Sequence, residues 1–340
     1  MKVTISDVAK RAGVSTATVS HTINNTRYVS AETKERVFNA IAELGYTPDA
    51  SARSFRTGKK KTIGFIVPDI SNRFFATMIE AVERQLSAAG YHLIIANTQE
   101  DEAREETNIR LLTAGLVDGL LIATTMNDFD RFDSLIPAGF PVVLVDRTFE
   151  TKKYSSLCVS NFQPIYRSVC RLAGKGDQRI GIIGGLPRLS TTRERITAYQ
   201  QAVMDCGLPQ DDALICYGDS MENSACACLD VLLERGCDAV IVTNGLMASD
   251  TMMYLQKKNI HLVEDIDLVS FIDYDSRFYQ LYANQMDCII QPVEELGTAA
   301  GDQILLRVEN PEAPIFEKVL TSAYQPYSQS GTWGGGGAQH

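Results

Sequence analysis

Short apolar runs alternate with longer helical patterns from residue 61 almost to the end of the chain, and this alternation restricts the fold more than any other feature. Consecutive apolar residues are typical of parallel strands buried on both faces, and intervening segments such as 74–89 and 194–206 have helical periodicity. The order of these elements predicts an α/β core of doubly wound parallel sheets. The predicted strands cover residues 63–68, 93–97, 119–123, 142–146, 179–185, 213–217, 239–244 and 268–273.

A core of roughly 280 residues is too large for one compact lobe, so we expect two similar lobes. Ligands of open parallel sheets bind beyond the carboxyl ends of the strands, which predicts a pocket between the lobes. Carboxylate, amide and guanidinium groups follow several strands and suit a hydroxyl-rich ligand such as a sugar, sugar acid or sugar phosphate. These strand-end residues are Asp69, Asn72, Asp146, Arg147, Asn161, Asn244, Asp273 and Gln291.

Residues 4–45 carry three shorter helical patterns of a different kind. Thr4 and Asp7 predict the start of a first helix, Ser15 caps a second, and a third runs from Ser30 to Gly45. Only three residues, one of them Gly13, separate the first two helices, which is typical of a helix-turn-helix whose second helix enters the DNA major groove. The outward face of that helix would present Thr16, Ala17, Ser20 and His21 to base edges.

The charge of the chain is divided unevenly. Residues 1–61 hold 11 Lys and Arg against 5 Asp and Glu, a net charge of +6, which leaves −16 for the remainder of a chain whose total is −10. A polyanion would be attracted to the N-terminal end and repelled by the rest. This distribution favours a DNA-binding head attached to a core that does not touch DNA.

The N-terminal motifs resemble a known family. The runs Asp7-Val8-Ala9, Ala12-Gly13-Val14-Ser15 and Thr18-Val19-Ser20-His21, followed by Ile23-Asn24 and Val29-Ser30, are similar to the headpiece of the LacI/GalR family of transcriptional regulators. Within that family, the run from Ser15 to His21 is most similar to the purine repressor. The resemblance covers about 60 residues densely and extends more loosely over 62–325, where it implies a type I periplasmic-binding-protein-like fold.

The resemblance implies a set of DNA-contacting residues and a hinge that folds when two subunits sit on one operator. By position, Phe55 would be the apolar wedge in the minor groove, where the family usually has leucine. We therefore expect Phe55→Ala to weaken operator binding far more than nonspecific binding. The full predicted set is Thr4, Ser6, Ser15, Thr16, Ala17, Thr18, Ser20, His21, Asn24, Arg27, Tyr28, Ser51, Arg53, Ser54 and Phe55.

Alignment with the family's core also implies effector contacts. Arg195, Asn244, Asp273 and Gln291 match effector-contacting positions, and Phe74 or Phe75 matches an aromatic of the pocket wall. Ser220 stands where relatives often place a stacking aromatic, which argues against a purine effector. The predicted effector set is Asn72, Phe74, Phe75, Asp146, Arg147, Asn161, Thr191, Arg195, Ser220, Asn244, Asp273 and Gln291. An aspartate at the end of a strand could instead cap the next helix, and Arg195 could instead only pair with neighbours of Glu194.

Two other classes of protein remain as alternatives. The core alone would suit a solute-binding protein, but we see no signal peptide, and the DNA-reading head argues against that class. A sugar-metabolising enzyme is disfavoured because none of the four histidines stands in a catalytic or zinc motif, and no phosphate loop is present. The eight scattered cysteines predict free, buried thiols, and we expect no metal and no cofactor.

The predicted organisation is a helix-turn-helix domain at 1–46, a hinge at 47–61, a core at 62–325 and a flexible tail at 326–340. One lobe would take about 62–160 with return segments after 291, and the other 161–290. One headpiece reads only a few base pairs, so we expect a homodimer on a near-palindromic operator. No apolar stretch is long enough for a membrane span, and a cytoplasmic location is expected.

Overall fold

A computed structural model describes residues 3–46, 59–219, 224–272 and 285–327. The chain forms two structural units, Met1–Lys60 and Lys61–His340. Residues 47–58 of the predicted hinge, Ser220, Asp273 and nearly all of the predicted tail lie outside the described ranges. The predicted boundaries of the hinge and of the lobes stay predictions.

The first unit contains the three expected helices, α1 (Ile5–Ala12), α2 (Thr16–Asn24) and α3 (Ala31–Leu44). Thr4 and Asp7 form a reciprocal capping box at α1, and Ser15 accepts a hydrogen bond from the Thr18 amide at α2. Both α1 and α3 end at a glycine in the left-handed region, where a side chain would be strained. The small core contains Val8, Ala9, Ala12, Val19, Val37 and Ala40.

The second unit contains two six-stranded sheets. Their orders are β11-β5-β4-β3-β1-β2 and β12-β10-β9-β8-β6-β7. All pairs are parallel except β10 with β12. The strands are β1 (Thr62–Val67), β2 (His92–Asn97), β3 (Gly119–Ile122), β4 (Val142–Val145), β5 (Ser155–Ser160), β6 (Ile180–Gly184), β7 (Ile215–Tyr217), β8 (Ala239–Val242), β9 (Asp267–Ile272), β10 (Asp287–Ile290), β11 (Glu317–Thr321) and β12 (Ala323–Gln325).

Helices connect and flank the strands of both sheets. In the first lobe they are α4 (Arg73–Ala88), α5 (Glu102–Thr113), α6 (Phe129–Leu135) and α11 (Val293–Glu309). In the second lobe they are α7 (Phe162–Lys175), α8 (Ser190–Asp205), α9 (Ser224–Glu234) and α10 (Gly245–Lys257). This architecture confirms the predicted α/β fold with an all-helical headpiece and two lobes.

The two helices α4 and α11 pack closely because α11 places glycines against its neighbour. A Cβ on Gly297 would lie 2.7 Å from the Met78 carbonyl oxygen, and one on Gly301 would lie 2.7 Å from Gln85 Cβ. This contact brings Leu296, Ala300 and Ile304 into the first lobe's core. The helix α11, which comes late in the chain, thus completes the first lobe, whose other helices come early in the core sequence.

Within the described residues, the chain crosses between the lobes three times. The crossings follow β5 at Asn161, β10 at residues 291–292 and β11 at Ser322. A cleft lies between the lobes, at the carboxyl ends of the central strands.

Four strands were not predicted, and one prediction was partly wrong. In β5 buried residues alternate with half-buried ones, so it lacks the continuous apolar run used to find the others; the strands β10, β11 and β12 are short. The run at 213–217 begins with a 3₁₀ turn at Asp212–Leu214, because the Asp211 side chain accepts a hydrogen bond from the Ala213 amide. Only Ile215–Tyr217 is a strand.

Candidate functional site

The outward face of α2 is the candidate DNA-reading surface. Thr16 and Ala17 are exposed, whereas Ser20 and His21 are half-buried. His21 Nδ1 lies 2.8 Å from the Thr26 hydroxyl, which fixes the imidazole at the end of the helix. These are the short polar and methyl groups that the sequence assigned to base contacts.

The remaining predicted DNA-contacting residues surround this face. Those that are exposed are Thr4, Ser6, Ser15, Arg27 and Tyr28, and those that are half-buried are Thr18 and Asn24. The side chain of Tyr28 is 95% exposed, a large exposed fraction for an aromatic residue. Asn24 Nδ2 donates to the Ser20 carbonyl oxygen at 2.8 Å, so this amide already stabilises the end of α2. The hinge residues Ser51, Arg53, Ser54 and Phe55 lie outside the described residues.

The cleft of the second unit brings together most of the predicted effector residues. Its walls include Asn72, Phe74, Phe75, Asp146, Arg147, Thr191, Arg195, Asn244 and Gln291. They also include Asp69, Glu100, Thr192, Thr243 and Phe271, of which only Asp69 was singled out in the sequence. Ser220 and Asp273 lie outside the described ranges. Asn161 is buried behind the wall.

Arg195 is fixed from three sides. Its Nε donates to Asn161 Oδ1 at 2.8 Å, its Nη1 donates to the Thr243 carbonyl oxygen at 2.7 Å, and its guanidinium lies 4.2 Å from the centre of the Phe271 ring. Burial lowers the pKa of Arg195 to about 10, against the opposing effect of the carboxylates of Asp146 and Glu194. The guanidinium is therefore held in place before any ligand binds.

Asn161 links Arg195 to the first crossing between the lobes. Its backbone amide and its Nδ2 both donate to the Glu194 carboxylate at 3.0 Å. The Phe162 amide donates to the same carboxylate at 3.1 Å, so Glu194 caps the start of α7. The consecutive residues Glu194 and Arg195 thus hold one crossing segment from both sides.

Arg147 forms a buried ion pair in the opposite wall. Its two terminal nitrogens donate to the Glu100 carboxylate at 2.6 and 2.8 Å, and its Nε lies 3.7 Å from Asp146 Oδ2. Burial opposes the charge of Arg147, but Glu100 and Asp146 outweigh it and raise the pKa of the guanidinium. Asp146 has a left-handed backbone with φ of 65°, a conformation that costs energy for a residue other than glycine.

A second buried carboxylate supports Arg147 from behind. Glu105 is inaccessible to solvent and accepts hydrogen bonds from the Thr124 hydroxyl at 2.6 Å and from the Thr125 amide at 2.5 Å. Burial raises the pKa of Glu105, although these hydrogen bonds act in the opposite direction. Because Arg147 also donates to the Thr124 carbonyl oxygen at 3.4 Å, the network reaches the cleft wall.

A direct contact joins the two lobes beside the cleft. Arg188, which follows β6, donates through Nη2 to the Glu100 carbonyl oxygen at 2.5 Å. Gln99 and Glu100 both have left-handed backbones, with φ of 54° and 58°. We call this contact the Arg188–Glu100 clasp. Glu100 thereby joins the lobes through its backbone and neutralises Arg147 through its side chain.

Two donors in the cleft wall are buried without a hydrogen-bond partner among the described residues. They are Arg147 Nε and Gln291 Nε2. Buried donors are costly to leave unpaired, so they indicate a ligand that supplies acceptor oxygens. The Asn72 and Asn244 oxygens, in contrast, accept from the amides of Phe74 and Met247 and cap α4 and α10. Both asparagines therefore serve as helix caps, a role expected from the sequence only for aspartate.

The described residues contain no cluster of His, Cys, Asp or Glu arranged to hold a metal ion. Among the described helices, none has the length and apolarity needed to cross a bilayer. All eight cysteines are free; only Cys237 and Cys288 are fully buried, so the prediction that the thiols are buried was wrong for the other six.

The sequence offered little signal for Glu100 and Arg188. Both lie in loops at the carboxyl ends of strands, and their partners are 47 and 88 residues away. A charged residue shortly after a buried strand is the only local indication, and it does not identify the partner.

A capped helix-turn-helix unit joined to a two-lobed α/β core with a polar interlobe cleft defines a ligand-responsive DNA-binding regulator. Comparison with known families agrees with this class. Residues 4–49 match "Bacterial regulatory proteins, lacI family", and residues 60–321 match "Periplasmic binding proteins and sugar binding domain of LacI family". The chain belongs to the LacI family.

Curated relatives match over nearly the whole chain. The HTH-type transcriptional repressor PurR of Photobacterium profundum is 32% identical over 92% of this chain and 95% of its own length. The ribose operon repressor of Haemophilus influenzae is 30% identical over 91% of this chain and 92% of its own length. These relatives have names that refer to different effector classes.

Solved structures share the fold. A complex of the transcriptional regulator CelR with cellobiose is 26% identical, with a TM-score of 0.70 over 95% of this chain and 98% of that one. The lac repressor dimer bound to operator and the anti-inducer ONPF is 23% identical, with a TM-score of 0.82 over 96% of this chain and 98% of that one. At 23% identity, the similarity to the lac repressor shows a shared fold and nothing more.

Proposed function

We propose that this protein is a transcriptional repressor whose affinity for a near-palindromic operator is controlled by a sugar, sugar acid or sugar phosphate bound between its lobes. The ligand assignment rests on two buried nitrogen donors in the cleft wall, Arg147 Nε and Gln291 Nε2. Neither has a hydrogen-bond partner among the described residues. Phe74, Phe75 and Phe271 also line the cleft. Aromatic rings can pack against the C–H groups of a sugar.

The second candidate ligand class is a purine base. It is favoured by the 32% identity to repressors named PurR and by the resemblance of the headpiece to the purine repressor. The sugar class is favoured by the cleft, because polar and charged side chains line both of its walls. The predicted departure at Ser220 supports the same choice.

A binding role suits the cleft better than an enzymatic one. The Glu100 carboxylate is neutralised by Arg147, and the Asp146 carboxylate lies between two guanidinium groups. Burial raises the pKa of Asp146, although the charges of Arg147 and Arg195 act in the opposite direction. No histidine is among the residues described in that wall. We therefore assign the cleft to ligand sensing. A regulator acts where its DNA targets lie, so we place the protein in the cytoplasm.

We propose that the operator-bound form is a homodimer. The edge strand β2 exposes two isoleucines, Ile94 and Ile95, which are 38% and 45% exposed. An apolar edge strand tends to pair with another chain unless something covers it. The likeness to a dimeric lac repressor on its operator supports the same arrangement.

The DNA-binding part of the proposal is tested by selecting duplexes with the full chain and measuring affinity at moderate salt. Ala17→Glu places a negative charge on the exposed face of α2, and we expect it to reduce operator affinity at least about 100-fold through repulsion of the backbone phosphates. Ala42→Glu puts the same group on an exposed position of α3 and is the matched control. Equal losses for both variants would contradict the assignment of α2.

The ligand part is tested by calorimetry on the full chain with ribose, glucose, gluconate, glucose 6-phosphate, hypoxanthine and guanine. We expect a polyol to bind and Gln291→Met to weaken it about tenfold, because one charge-free hydrogen bond is lost. Gln256→Met, on the exposed face of α10, should leave affinity unchanged. Binding of the nucleobases alone would overturn the sugar assignment, and binding of none would argue against the cleft as the sensor of these classes.

A further inference from the structure

Two cysteines of the second lobe lie unusually close together. Cys170 stands in the middle of α7, and Cys206 is the residue that ends α8. Their sulfur atoms are 2.9 Å apart, nearer than two sulfurs without a bond normally lie, and both residues are half-buried. Solvent therefore reaches a pair of thiols that needs little movement to become a disulfide.

Neighbouring contacts hold the two cysteines at this distance. The Tyr166 hydroxyl, one turn before Cys170, donates to Asp205 Oδ2 at 3.0 Å, directly beside Cys206. Earlier in the same two helices, Glu194 of α8 caps the start of α7. The helices α7 and α8 are thus fixed to each other at both positions, which lowers the entropy needed to bring the thiols together.

We propose that Cys170 and Cys206 are a redox modification site that forms a reversible intramolecular disulfide by exchange with a low-molecular-weight disulfide. A thiolate attacks the external disulfide, forms a mixed disulfide and releases one thiol; the second cysteine then displaces the other thiol. Two S–H bonds are lost, one S–S bond forms, and the external disulfide takes up the two electrons and two protons as two thiols.

The two sulfurs are in hydrogen-bonding contact before any oxidant acts. Burial raises the pKa of Cys206 to about 11, and the hydrogen bond with Cys170 acts in the same direction. A protonated thiol is a poor nucleophile, so we expect the exchange to become faster as the pH rises.

The crosslink would join two helices that carry parts of the cleft wall. Thr191 and Arg195 lie on α8, and the Arg195 partner Asn161 lies at the start of α7. Fixing the middle of α7 to the end of α8 would restrict the movement of this wall. The proposal itself does not depend on the identity of the cleft's ligand or on the proposed function.

The test treats the full chain with oxidised glutathione at pH 8, quenches with acid and maps the disulfides by mass spectrometry. Trypsin together with Asp-N protease separates the relevant thiols, because Cys170 then lies in residues 168–171 and Cys206 in residues 205–210. We expect these two peptides to be joined, the eight free thiols to fall to six, and dithiothreitol to restore all eight.

Variants separate this pair from its alternatives. Cys170→Ser and Cys206→Ser should each abolish the link and stop the reaction at a mixed disulfide on the remaining cysteine, whereas Cys158→Ser, which removes another half-buried thiol, should leave the link intact. The oxidised wild type should unfold about 5 °C above the reduced form. Recovery of Cys170 and Cys206 as free thiols, or a link between the adjacent Cys216 and Cys228 instead, would overturn the proposal.

Discussion

Charged side chains inside the core of this protein are paired with partners far away in the sequence. Arg147 reaches Glu100 across 47 residues, and Asn161 reaches Glu194 across 33. Breaking such a pair leaves a buried charge uncompensated, so single residues of the cleft wall also affect stability. Asp177 is an exception, since its neighbours include two further carboxylates.

Asp177 is expected to destabilise the folded protein near neutral pH. Burial, followed by the charges of Asp267 and Asp238, raises its pKa to about 7, and its Oδ2 is buried without a hydrogen-bond partner in the described structure. A raised pKa in the folded state means that the cost is absent below about pH 4, grows with pH and is complete above about pH 7.

We therefore expect Asp177→Asn to raise the free energy of unfolding by about 1–2 kcal/mol at pH 8, after allowance for solvent screening, and by less at pH 5. Urea unfolding at both pH values measures this. Asp302→Asn, at an exposed position of α11, is the control and should have little effect at either pH. The same gain at both values would contradict the raised pKa.

Local sequence rules predicted single residues well where the partner is near in the chain. The capping contacts of α1, α2 and α3 span three residues, and the caps predicted at Thr4 and Ser15 both form. The cleft wall was predicted in large part because strand ends converge in parallel sheets. Glu100 and Arg188 were missed because their contacts depend on how two loops from different lobes meet.

At the level of elements, the same difference separates the strands that were predicted from those that were not. Strands buried on both faces, such as β3 and β8, leave continuous apolar runs. The strands β5 and β11 do not: β5 alternates in burial, and β11 has only one buried residue. Their pairing is decided by register with a distant strand, which no local pattern records.

The packing of α11 against α4 gives a prediction of its own. Gly297→Ala should lower the free energy of unfolding by about 1–3 kcal/mol, because the new Cβ would stand 2.7 Å from Ala81 Cβ and from the Met78 carbonyl oxygen. Gly174→Ala in α7 is the matched control, since no atom lies within 4 Å of its added Cβ.

The control should stabilise the protein by up to about 1 kcal/mol, as alanine is the better helix former. Chemical denaturation of both variants measures the difference. Stabilisation by both substitutions would show that the two helices can separate without cost.

For the molecule as a whole, the Arg188–Glu100 clasp holds the lobes together across the cleft. Arg188→Ala removes a hydrogen bond of a charged donor, worth about 1.5 kcal/mol or more. We expect amide hydrogen exchange in the loop around Glu100 and in the first turn of α8 to accelerate about tenfold. Arg193→Ala is the control, because Arg193, in the first turn of α8, donates to the Arg188 carbonyl oxygen within the same lobe.

Unchanged exchange in Arg188→Ala would mean that the crossings alone hold the lobes in place. Acceleration confined to the loop that carries the substitution would mean that Arg188 orders its own segment and not its neighbour across the cleft. Mass spectrometry of peptic peptides resolves these regions.

The discontinuous first lobe also has a consequence for biosynthesis. When a ribosome has completed residue 160, that lobe still lacks α11, which buries Leu296, Ala300 and Ile304 against it, and β11, which pairs with β5. The second lobe can assemble once β10 has emerged, apart from its edge strand. The first lobe, although translated earlier, would thus complete its fold later than the second. Until then, its incomplete surface would depend on chaperones to avoid aggregation.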